Sequence, residues 1–194
     1  AQVAAALRLT EMEATELQQK MRHALQGNPI PSLNQSIKPQ PAAVLVPFVK
    51  KDDEWHLLFT KRTNGVAKHQ GEISLPGGAA EKDDHNLIET AIRETREEIG
   101  VPGSQITILG VLEPVPTISN YCVLPVVSIV EWPQRLVLNQ TEVEDILLVP
   151  VDWLKDKNNW YEDDFFYEPG KHKKVIHYRN FEGEHLWGIT ALLA

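Results

Sequence analysis

The stretch that decides the reading is Leu87-Ile-Glu-Thr-Ala-Ile-Arg-Glu-Thr-Arg-Glu-Glu-Ile-Gly100. At 100° per residue, Leu87, Ile88, Ala91, Ile92, Thr95 and Ile99 share one face, so the spacing predicts an amphipathic helix over 87–99 with that face on a core. Gly100 and Pro102 stop it. Glu94, Glu97 and Glu98 fall on a separate arc at the edge of the apolar face. Glu94 and Glu98 are four residues apart and Glu94 and Glu97 three, spacings at which like charges destabilise a helix. Desolvation beside an apolar face adds to the repulsion. A Glu-rich helix is most often just a solvated one. Here a divalent cation would remove the conflict, and hard carboxylate oxygens suit Mg²⁺ or Mn²⁺. Glu89, on the opposite side and four residues before Arg93, reads as a surface ion-pair partner.

Upstream, Pro76-Gly77-Gly78 reads as a turn whose glycines let backbone approach a ligand closely. Before it, Ala42–Val49 and Trp55–Arg62 are apolar, β-branched or aromatic runs separated by Lys51-Asp52-Asp53, a hairpin pattern. A short strand is expected at Glu72–Leu75. Further strands are expected at Ile106–Val115, Cys122–Val130, Ile146–Val149 and Val175–Phe181, with a helical turn at Val151–Lys155. Residues 10–26 read as an amphipathic helix, with Thr10 and Glu13 in a capping-box pattern and Leu17, Met21, Ala24 and Leu25 at helical spacing. Gly27–Pro41 is polar and Pro-rich. The expected organisation is therefore a helix and Pro-rich linker over 1–40 packing on one domain over 41–194. The expected fold class is α+β, a mixed sheet with helices on its faces.

Composition narrows the functions. The 194 residues suit one domain with a substantial core, and 42% hydrophobic with 24% charged residues is an ordinary globular balance. A net charge of -8 disfavours nonspecific binding to nucleic acid or an anionic membrane surface. An acidic chain that handles phosphates needs local positive charge, for which a bound cation is the obvious source. Cys122 is the one cysteine, so no internal disulfide can form, which favours a reducing compartment such as the cytoplasm. No apolar run approaches the ~18 residues of a membrane span. Ala1–Leu9 lacks a basic stretch before its apolar residues and is not expected to act as a signal peptide. Nothing in the composition points to a nucleic-acid or membrane partner, and nothing in the residues fixes an oligomeric state.

Gly78 through Val101, ending in Arg93-Glu94-Thr95-Arg96-Glu97-Glu98-Ile99-Gly100-Val101, resembles the signature box of the Nudix hydrolases. That family's pattern is Gly, five residues, Glu, seven residues, then Arg-Glu-apolar-any-Glu-Glu-any-Gly-apolar. Its second half matches at every fixed position, with Thr95 at the usual apolar place. Its first half has one extra residue, and the early Glu falls near Asp84, with Glu81 and Asp83 as alternatives. The segment Leu57–Thr63, then Lys68-His69-Gln70-Gly71-Glu72-Ile73-Ser74-Leu75-Pro76-Gly77-Gly78, is similar to the signature of the coenzyme A pyrophosphatase branch. Arg62, Thr63, Gly71, Pro76, Gly77 and Gly78 match it. Ala67 stands where that branch has an Arg, and Leu75 where it has Phe. Trp187–Ala191 resembles the start of the branch's last helix.

The resemblance implies an α/β/α sandwich and metal-dependent hydrolysis of a pyrophosphate bond in a small-molecule nucleotide. It gives metal binding to Glu94, Glu97, Glu98 and the carbonyl of Gly78, and an anchoring role to Arg93 through an early acidic residue. Arg62, Thr63, Lys68 and Gly77 would contact substrate. Glu142 or Glu144 could add a ligand or the base. Three functions stay open at this point: hydrolysis of coenzyme A or its acyl derivatives, hydrolysis of another nucleoside diphosphate derivative such as ADP-ribose or a dinucleotide, and nucleotide binding without turnover. The complete glutamate set argues against the last.

Overall fold

The computed structural model describes residues 14–25, 28, 39–63, 71–132, 135–168 and 170–194. Eight strands form one mixed sheet. β1 (Gln40–Lys51) lies at its centre, antiparallel to β2 (Glu54–Arg62) and parallel to β7 (Tyr121–Val130). β2 carries β3 (Ile73–Ser74) and β8 (Val143–Pro150). β7 carries β5 (Ile106–Val111) and β6 (Val115–Pro116). β4 (Gly77–Ala79) pairs with the first half of β1.

Both faces of this sheet are covered, which is why its central strands read as unbroken apolar runs rather than alternating ones. On β2, Leu57 and Phe59 enter one core and Leu58 the other. On β7, Val127 and Ile129 enter the first, Leu124 and Val126 the second. The second core is closed by the helix α2 (Leu87–Ile99) through Leu87, Ala91 and Ile99. The first takes up Leu17, Met21 and Leu25 from the N-terminal helix α1 (Ala14–Ala24) and the turn after it. It also takes Val151 and Leu154 from α3 (Val151–Lys155) and Ala191 and Leu193 from α4 (Gly188–Leu193). The result is an α/β/α sandwich, and α1 shares the core of the unit it precedes.

Several expectations need correction. Pro76-Gly77-Gly78 does not simply turn: Gly77–Ala79 adds to the sheet against Ala42, Ala43 and Val44. The strand expected over 106–115 is broken in two, with a register shift between Ile108 and Gly110. The strand expected at Val175–Phe181 is instead β10 (Lys171–Tyr178). It pairs with β9 (Trp160–Glu168), whose acidic, mostly exposed residues give no apolar alternation to read. Helix α1 starts at Ala14 among the described residues; the Thr10–Glu13 cap and most of the Pro-rich linker lie outside them. No helix among the described residues is long and apolar enough to cross a membrane.

The β1–β2 hairpin turns on Asp52 and Asp53, both left-handed, at φ 51 and 64. Two consecutive positive φ values are what a type I′ turn requires, and Gly suits its second position best. Replacing Asp53 with Gly is expected to raise unfolding free energy by about 0.5 kcal/mol, the relief of left-handed strain exceeding the added freedom of the unfolded chain. Chemical denaturation checks this; a loss of stability would contradict the turn assignment.

Candidate active site

Helix α2 is held at both ends. Asn86 Oδ1 accepts from the N–H groups of Ile88 and Glu89, both at 3.0 Å, and Gly100 closes the other end at φ 76. The Glu89 carboxylate reaches back to the His85 N–H at 3.2 Å and ring Nδ1 at 2.8 Å. Glu89 is thus an exposed N-terminal cap whose partner is His85, not Arg93.

The loop from β4 to α2 is fastened by Arg93. Its Nε and Nη2 donate to the two carboxylate oxygens of Asp84, at 3.0 and 3.1 Å, and Nη2 also donates to the Ala79 carbonyl at 3.1 Å. Nη1 donates to Glu94 at 2.9 Å and Glu97 at 3.1 Å. Of the three acidic residues considered for the loop, Asp84 takes the paired contact; Glu81 stands 3.8 Å from Nη1 and Asp83 is exposed. Burial opposes ionisation of Asp84, but hydrogen bonds from Arg93, the Glu81 N–H and the Thr90 hydroxyl outweigh it and hold the group at about 2. The Arg93 guanidinium is raised in turn, chiefly by its bonds to Asp84. This fork is permanently charged under any physiological condition.

The three glutamates are not equivalent. Glu98 is 2% exposed, with Oε2 accepting from the Gly77 N–H at 3.2 Å and Oε1 lying 3.9 Å from Arg62 Nη1. Burial, then the charge of Glu94, pushes Glu98 up to about 8, against the opposing pull of the Gly77 N–H and Arg62. Glu94 is half-buried and also raised, first by burial, with Arg93 opposing and Glu97 and Glu142 adding. Glu97 is exposed and tied to Arg93. Strand β4 explains the difference, because it runs over the helix edge at Glu94 and Glu98. A methyl group on Gly78 would meet the Glu94 carboxylate carbon at 2.6 Å, so it fits only if that carboxylate moves.

Arg62 extends from the end of β2 and has a buried Nε with no hydrogen-bond partner among the described residues. Thr63 is fixed through its N–H to the Glu142 carbonyl at 2.9 Å and its hydroxyl to the Thr141 carbonyl at 3.0 Å. This brings the Glu142 segment to the site, where its carboxylate raises both Glu94 and Glu98. Glu144 does not join it. The β2–β8 register shifts between Lys61 and Arg62, whose partners are Asp145 and Val143, so Glu144 is skipped. Its carboxylate lies 3.7 Å from Lys61 Nζ. Lys68 and Ala67 lie outside the described residues. Thr90, whose hydroxyl donates to Asp84 at 2.8 Å, is the part that helical spacing did not single out.

The profile of the family described as NUDIX domain matches residues 38–168. The chain belongs to the Nudix family. A protein of Pectobacterium atrosepticum named "Uncharacterized Nudix hydrolase NudL" is 34% identical over 163 residues, 84% of this chain and 83% of that protein. A Yersinia pestis protein of the same name is 33% identical over 152 residues, 78% of this chain and 75% of its own length. The crystal structure of the M. smegmatis Nudix hydrolase RenU shares the fold at TM-score 0.50 and 22% identity, over 59% of this chain and 73% of that one. As a Nudix hydrolase the chain is a pyrophosphohydrolase, and such enzymes generally use divalent metal ions.

The residues fit such an ion in their chemistry. Glu94 and Glu98 offer hard oxygen donors short of solvent, and burial raises both against the opposing pull of Arg93 and Arg62. Among the described residues, no three His, Cys, Asp or Glu side chains gather around one centre, and Arg93 Nη1 occupies an oxygen of both Glu94 and Glu97.

Proposed function

We propose that this Nudix hydrolase cleaves the pyrophosphate bond of coenzyme A or an acyl-coenzyme A, giving adenosine 3',5'-bisphosphate and a 4'-phosphopantetheine product. The observation that carries the reading is Arg62. It is the one cationic residue among the positions that match the coenzyme A signature, and its partly exposed guanidinium stands 3.9 Å from the buried Glu98 carboxylate. A substrate phosphate would accept from the exposed part of this guanidinium.

In this reading Glu94, Glu97, Glu98 and the Gly78 carbonyl would hold Mg²⁺ or Mn²⁺. When bound, the ion neutralises charge on the diphosphate and lowers the pKa of water. The chain's own groups do the rest. Arg62, with Thr63, Gly77 and Lys68, orients the diphosphate. Arg93 and Asp84 hold the β4–α2 loop against the glutamates. The water oxygen forms a new bond to phosphorus, and the bridging P–O bond breaks with its electron pair leaving on the departing phosphate. The water proton goes to a carboxylate, for which Glu142, whose charge is felt by Glu94 and Glu98, is the candidate.

A second reading, hydrolysis of ADP-ribose or a dinucleotide, is favoured by Ala67, which removes one cation from the coenzyme A segment. A charge-assisted hydrogen bond is worth about 1.5–3 kcal/mol, so its loss blunts specificity by about tenfold or more. Coenzyme A is still expected to be cleaved with higher kcat/KM than ADP-ribose under one metal condition. Ala67→Arg is expected to increase kcat/KM for coenzyme A alone. Equal or better cleavage of ADP-ribose, with no response to Ala67→Arg, would favour the second reading.

A further inference from the structure

We infer that Thr90 is a positioning residue for the metal-binding carboxylates, acting through Asp84 and Arg93; this rests on the reading that Glu94 and its neighbours hold a divalent cation. Thr90 is a fully buried residue of α2. A buried Thr at such a place could be replaced by Val without loss of shape, unless its hydroxyl is used. Here the hydroxyl donates to Asp84 Oδ2 at 2.8 Å, and its contact to the Asn86 carbonyl is longer, at 3.4 Å.

The Asp84 carboxylate is saturated. Oδ2 accepts from Thr90, from the Glu81 N–H at 2.9 Å and from Arg93 Nη2, while Oδ1 accepts from Arg93 Nε. The Glu81 N–H belongs to the same loop as Asp84 and moves with it. Arg93 is a long side chain that can follow the carboxylate. The Thr90 hydroxyl is the short, rigid donor from the helix, one bond from the Cβ of a fully buried residue. It therefore fixes where the Asp84 carboxylate stands relative to α2. Asp84 then sets the angle of the planar Arg93 fork, and the far end of that fork reaches Glu94, Glu97 and the Ala79 carbonyl. Without the hydroxyl, the Asp84 carboxylate turns and the fork turns with it. Glu94 is then no longer held at the Gly78 edge.

The test is Mn²⁺ binding to substrate-free protein, followed by electron paramagnetic resonance, with steady-state kinetics alongside. Thr90→Val removes the hydroxyl and keeps the shape. It is expected to weaken Mn²⁺ binding about tenfold, the worth of one hydrogen bond to a charged group. It should lower kcat with little change in KM. Thr90→Ser keeps the hydroxyl and is expected to bind Mn²⁺ within about twofold of the parent. If the Val variant does not fold, Thr90→Ala against Thr90→Ser makes the same comparison, since both lack the methyl group. In an Asp84→Asn background, removal of the hydroxyl should have little further effect on Mn²⁺ binding. Parental Mn²⁺ affinity in the Val variant, equal loss in the Ala and Ser variants, or full additivity with Asp84→Asn would each overturn the inference. If Mn²⁺ binding follows Thr90 while coenzyme A is not cleaved, the substrate reading fails and this one stands.

Discussion

Replacing Glu98 with Gln lowers kcat by at least about 100-fold while leaving the protein folded. On the proposed metal binding, the change preserves shape and removes the charge of a ligand oxygen, and a metal ion's stabilisation of the transition state is worth several kcal/mol. The fold has little to lose, because Glu98 is 2% exposed and a neutral side chain suits that burial better than a carboxylate. Glu89→Gln is the control on the same helix. Its carboxylate is exposed and serves only the His85 end, so activity should stay within about twofold. Steady-state kinetics with thermal melts of both variants measures this. Equal losses in the two would contradict the assignment of faces on α2.

The adjacent glycines of β4 separate stability from catalysis. A Cβ on Gly77 would lie 2.3 Å from the Ala43 carbonyl oxygen and 2.6 Å from Val44 Cα, in a residue at φ 152. These are backbone atoms of β1, so Gly77→Ala must pull β4 from the sheet and is expected to lower the melting temperature by several degrees or more. A Cβ on Gly78 meets only the end of the Glu94 side chain. That chain can swing away, so Gly78→Ala should melt within a few degrees of the parent yet lose about 100-fold in kcat as Glu94 is displaced. Parental activity in folded Gly78→Ala protein would mean that Glu94 does not work from the position described.

The helix bounds could be read from the sequence because everything that sets them is local. The apolar period runs from Leu87 to Ile99, and Gly100 ends it. The long strands at the centre of the sheet were legible as apolar runs for the same reason. What escaped depends on tertiary placement. Helical spacing puts Glu94, Glu97 and Glu98 on one arc, but β4 crosses that arc at Glu94 and Glu98 and leaves Glu97 in solvent. Glu142 and Glu144 have the same parity along the chain, yet the register shift opposite Lys61 and Arg62 sends Glu144 to Lys61. Strand β9 escaped because its aromatic residues come in adjacent runs around an acidic stretch instead of alternating, and its β10 partners are mostly polar or charged, as in Asp164 with Lys174 at 3.6 Å. Among the acidic residues near the box, spacing alone could not choose Asp84 over Glu81 or Asp83. The buried Thr90 hydroxyl and the Arg93 fork make the choice.

A site built from acidic residues can cleave a diphosphate only with a metal ion to offset the charge, so metal dependence is the most direct test. Coenzyme A should be incubated with the protein while Mg²⁺ is removed by excess chelator and then restored, with adenosine 3',5'-bisphosphate followed by chromatography. The account predicts that product formation stops with the chelator and returns with Mg²⁺ or Mn²⁺. Undiminished turnover in excess chelator would contradict it.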